Sequence, residues 1–73
     1  MMPFISFSES ARELCFELES GAVRVPLMDS ARMAALCEAH GSEFEGGVLF
    51  SSDVSAEAEE AVHAALALRT PSA

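Results

Sequence analysis

Seventy-three residues suffice for one domain spanning 1–73, and a domain of that length buries only about 60% of the surface its unfolded chain exposes. Thirteen of the apolar residues are alanine, leaving 22 larger apolar side chains for the core, so a homodimer is the expected supplement to it. Twelve Asp and Glu against four Arg give a formal net charge of −8, which excludes counterion release as a driving force and argues against direct nucleic-acid and anionic-membrane binding.

The first predicted element is a strand over 3–8, where Phe4, Ile5 and Phe7 stand among serines behind Pro3. After a polar connection, Leu14, Phe16 and Leu18 alternate with Cys15, Glu17 and Glu19 at the period of a half-buried strand. Ser20-Gly21 predicts a tight turn, and Val23, Val25 and Leu27 then alternate with Arg24 and Pro26, completing a hairpin. Because Pro26 cannot donate to a ladder, this third strand belongs at an edge.

Asp29 or Ser30 caps a helix expected to run to about His40 and to stop at Gly41. Its stripe of Met33, Leu36, Cys37 and His40 suits the Leu14/Phe16/Leu18 face of the hairpin. Residues 47–51 fit either a short strand or a buried loop anchor. A last helix begins near Ser52, Asp53 or Ser55 and ends before Pro71, with Glu57, Glu59 and Glu60 where the helix dipole favours negative charge. Ala58, Ala61, Val62, Ala65 and Leu66 form its inner stripe, while Ala64, Ala67 and Leu68 carry apolar surface to a second side. Residues 1–2 and 70–73 are expected to fray. The fold class is therefore α+β: a small antiparallel sheet, made of the hairpin and one N-terminal strand, packed against two helices.

The chain has two cysteines, two histidines, and no Tyr, Trp or Lys, and it has no glycine-rich phosphate loop of a known type. Gly46-Gly47 leads into an apolar run beside Glu43 and Glu45, whose charge repels an anion. A zinc site built on Cys37, His40 and His63, with Cys15 as a fourth ligand, is the alternative metal reading, supported by the Cys37/His40 spacing alone. A thiolate nucleophile at Cys37 requires an electropositive setting, and the local charge has the opposite sign. The chain is accordingly expected to be no enzyme and to hold no cofactor.

Two cysteines do not make a secreted disulfide framework, and the first residues carry neither a basic leader nor a membrane span. A cytoplasmic location is expected. From Met33 to Leu68 there are seven acids and no base, so the candidate partner-binding residues are Glu43, Glu45, Asp53, Glu57, Glu59 and Glu60. Their expected target is another protein with a basic surface. Short, acidic chains without catalytic residues are typical of phage or mobile-element inhibitors, including anti-CRISPR-like ones, and that is the concrete form expected here; a structural homodimer is the alternative.

The segments LCFELESGAVRVPLMDSARMAAL and AEAEEAVHAAL, in the order strand, hairpin, helix, helix, resemble a family of short uncharacterised bacterial proteins. The similarity covers residues 4 to 68 and rests on apolar spacing and the turn glycine Gly21. It implies a fold and carries over no functional residue.

Overall fold

The computed structural model describes residues 3–69, with side chains to residue 67. The expected fraying at 1–2 and 70–73, and the apolar side chain of Leu68, lie outside the described residues.

Strand β1 (Phe4–Ser8) pairs antiparallel with β2 (Glu13–Leu18), and β2 pairs antiparallel with β3 (Gly21–Pro26). Period-two alternation puts Leu14, Phe16 and Leu18 on one face of β2, and the register aligns them with Phe7, Ile5 and Gly21 respectively. Gly21 takes φ +135°, a conformation that a side chain strains. The turn itself is Glu19-Ser20, and Gly21 is already the first residue of β3, opposite Leu18. Pro26 closes an edge strand, where its missing N–H leaves no ladder bond unmade.

A fourth strand, β4 (Leu49–Phe50), runs parallel to β1, bracketed by bonds from the Leu49 N–H to the Pro3 carbonyl and from the Ser51 N–H to the Ile5 carbonyl, each 3.0 Å. The strand reading of 47–51 is the one realised, and it makes the sheet mixed, in the order β3-β2-β1-β4. This extends the expected antiparallel sheet. The α+β class holds: the four-stranded sheet packs against two helices.

Helix α1 (Ser30–Ala39) starts at Asp29, whose carboxylate accepts the Arg32 N–H at 3.1 Å. Met33, Leu36 and Cys37 are its buried face. The helix does not stop on a left-handed glycine: His40 caps it, donating its N–H to the Leu36 carbonyl, and Gly41 opens a 3-10 turn, Gly41–Phe44. That turn drives Phe44 under the sheet, edge-on to Phe16 at 6.4 Å between ring centroids. Helix α2 (Ala56–Arg69) is capped by the Ser55 hydroxyl, which accepts the Ala58 N–H at 3.2 Å. It buries Ala58, Val62 and Ala65, with Ala61 and Leu66 packed alongside, as the alanine stripe predicts. Ile5, Leu14, Phe16, Val25, Met33, Cys37 and Val62 form the driest centre, each larger side chain contributing roughly 1.5–3 kcal/mol by leaving water. Among the described residues, no helix is long and apolar enough to cross a membrane.

Candidate interaction surfaces

The strand directions determine which side chains share an end of the molecule. Because β3 and β4 both run parallel to β1, α1 and α2 both leave the sheet at the end where β1 turns into β2. The two helices therefore bring their N-termini to one end, together with Arg12 of the turn. Arg12 has φ 54°, and its carbonyl accepts the Leu27 N–H at 2.9 Å, tying the turn to the exit of β3. Its guanidinium lies 5.7 Å from the centroid of the Phe7 ring and donates to Glu57 at 3.3 Å.

The six carboxylates singled out in the sequence are not one surface. Asp53, Glu57, Glu59 and Glu60 lie at the shared helix end; all but the half-buried Glu59 are exposed. Glu43 and Glu45 lie at the opposite end, where the β2–β3 turn is. Six residues of β2 separate the ends, roughly 17 Å at about 3.3 Å per residue.

Glu43 also has internal work. Its carboxylate accepts the Glu19 N–H at 2.7 Å and bonds the His40 ring Nδ1 at 2.8 Å, so it ties the 3-10 turn to the hairpin. The Glu19 bond first, and the His40 bond second, hold its carboxyl below the ordinary glutamate range. Of the six, only Glu45, Asp53, Glu57 and Glu60 are exposed.

The proposed zinc ligands are dispersed. Cys37 is in the core, His40 is bonded to Glu43, and His63 sits edge-on to Phe50 with ring centroids 5.5 Å apart. Cys15 points to the uncovered face of the sheet. Among the described residues, no three His, Cys, Asp or Glu side chains are grouped to hold a metal ion.

Sequence reasoning did not single out that uncovered face. In register across the strands it carries Leu49, Phe4, Glu17 and Ala22 in one row, then Ser6, Cys15 and Arg24, then Ser8, Glu13 and Pro26. Phe4 is 40% exposed and Leu49 51%. Behind them a hollow of about 330 Å³ opens between Ser6, Ser8, Ala11, Glu13, Cys15 and Arg24. The Cys15 thiol donates to Glu17 at 3.4 Å, and its pKa is raised by burial first and by the Glu17 bond and charge next, against the opposing pull of Arg24. The period-two pattern held the signal, since Phe4 and Cys15 fall on the non-core parity of their strands; the fourth strand, which supplies Leu49, was what kept the patch hidden.

No protein-family model, curated protein or solved structure matches this chain. The resemblance to short bacterial proteins accordingly rests on the residues quoted for it.

Proposed function

We propose that the protein is a small, acidic, non-enzymatic interaction module that binds a basic protein surface through the carboxylates at the start of α2. The observation that carries this reading is the gathering of Asp53, Glu57 and Glu60, all exposed, at the end where both helix N-termini lie. The α2 dipole favours Glu57 in its first turn, and the Arg12 guanidinium offsets part of that charge, leaving Asp53 and Glu60 beside it as the exposed acids. Carboxylates arranged this way steer a basic partner and set the orientation of docking.

The positions of Cys37 and the two histidines support the same reading. Cys37 packs in the core, His40 holds Glu43, and His63 packs against Phe50. Each has a structural occupation. The concrete form we favour is an inhibitor carried by a phage or mobile element, acting in a reducing cytoplasm on a host protein whose own ligand is anionic.

The test is affinity capture from a lysate of the source organism on the immobilised chain, followed by binding isotherms of the captured protein. Reversing Glu57, Glu59 and Glu60 to Lys together should abolish binding, and raised salt should weaken the wild-type complex. Unchanged binding by the triple variant eliminates the reading.

A further inference from the structure

The uncovered sheet face has both a projection and a recess, with Glu17 beside the one and Arg24 on the rim of the other. Phe4 and Leu49 stand out at one corner, paired across β1 and β4, with Glu17 directly cross-strand from Phe4. The hollow lies further along the same strands, and Arg24 forms part of its rim. An isologous interface requires one patch to complement itself. Here an apolar projection flanked by the Glu17 carboxylate faces a recess whose rim carries the Arg24 guanidinium as well as the Glu13 carboxylate.

We propose that this face binds a second copy of the chain, each copy's Phe4 and Leu49 entering the other's hollow so that Glu17 of one meets Arg24 of the other, twice by symmetry. Charge permits a second copy on this face. Glu13, Glu17 and Arg24 leave it one net negative charge of the chain's −8, so two copies meet here with little of the chain's charge between them. The 19 strand residues, at about 4.8 Å between strands and about 3.3 Å along them, give a footprint of roughly 300 Å² per copy. That places the contact among the small, weak interfaces that bury less than about 1,200 Å² in total, so association is expected in the micromolar range.

The resulting particle has the two sheets inside and both helix pairs outside. The carboxylates of α2 stay exposed in either state, so partner binding through Glu57, Glu59 and Glu60 is assayed independently of the dimer.

Sedimentation velocity over a concentration series tests it. Wild type should shift from monomer to dimer across the micromolar range. Glu17→Arg alone and Arg24→Glu alone should each be monomeric, because each opposes like charges across the contact. An equimolar mixture of the two variants should dimerise: the arginine introduced at position 17 of one chain then meets the glutamate introduced at position 24 of the other, and the symmetry-related contact keeps Glu17 against Arg24. Phe4→Ser should weaken association by about tenfold or more, as loss of an aromatic anchor buried by the contact does, while Met28→Ser, at a 78% exposed position outside the face, should leave it unchanged. Circular dichroism checks that each variant is folded. Wild type that stays monomeric at the highest concentration overturns the proposal, and so does a mixture of the charge variants that stays monomeric.

Discussion

The Arg12 guanidinium, in the turn between β1 and β2, bonds the Glu57 carboxylate on the first turn of α2 at 3.3 Å, joining residues 45 apart in sequence. The same side chain covers the Phe7 ring, and the same residue holds a left-handed backbone, φ 54°. One position therefore combines strain with two attractive contacts.

The contacts are exposed and modest. An exposed ion pair is worth about 0–1 kcal/mol and an exposed cation–π contact about 0.5–1 kcal/mol, while left-handed backbone costs a non-glycine residue about 1–2 kcal/mol. Arg12→Gly, which loses the contacts and relieves the strain, should fall within about 1 kcal/mol of wild type. Arg12→Ala keeps the strain and should be less stable than Arg12→Gly by about 1 kcal/mol. Urea unfolding of the three proteins decides it.

Glu43 makes stability depend on pH. Its folded-state pKa lies below the unfolded one because the carboxylate form accepts the Glu19 N–H and the His40 bond. Its contribution is therefore present above the ordinary glutamate range and disappears as pH falls through the lowered folded value. Glu43→Gln should unfold at lower temperature than wild type near neutral pH, and the two curves should converge in acid. A gap that stays constant with pH would show that the carboxylate charge is irrelevant at this position.

Core truncations should be severe for so small a domain. Val62 and Phe16 are fully buried, and Phe→Ala at such sites costs about 3–5 kcal/mol, which approaches the whole stability of a chain this size. Phe16→Ala should lose the cooperative thermal transition, whereas Val62→Ala, a smaller truncation, should lower the midpoint but keep it. The readout is far-UV circular dichroism with temperature.

Cys15 should be a sluggish thiol despite its place on the uncovered face, because partial burial and Glu17 both disfavour its thiolate. At concentrations where the chain is monomeric, alkylation by iodoacetamide near neutral pH should be slower than for the urea-unfolded chain, faster in Glu17→Gln, and slower in Arg24→Met. Mass spectrometry after timed quenching assigns the label to Cys15 and not to buried Cys37.

Much of the fold was legible because local and tertiary signals agree in it. The alternation through Leu14, Phe16 and Leu18 is realised as β2, and the caps at Asp29 and Ser55 begin both helices. Helix α1 ends where Gly41 predicts a stop, whereas the 3-10 turn that follows is not announced by a pattern with no gap in polarity. Two residues, Leu49 and Phe50, are too few for periodicity to register, so β4 and the apolar corner it completes with Phe4 became visible only through pairing with β1. The acidic stretch misled: proximity in sequence between Glu43 and Glu57 is undone by residues 46–55, in which β4 runs parallel to β1 and leads the chain toward the end where β1 turns into β2.

That separation of the acids yields the most direct test of the interaction surface. Binding of the captured partner should be measured by titration calorimetry against two double variants, Glu57→Lys with Glu60→Lys at the helix end and Glu19→Lys with Glu45→Lys at the hairpin end. Loss of binding in the first and near wild-type affinity in the second is the expected result. Equal losses in both, or a loss confined to the hairpin end, would contradict the assignment of the contact to the start of α2.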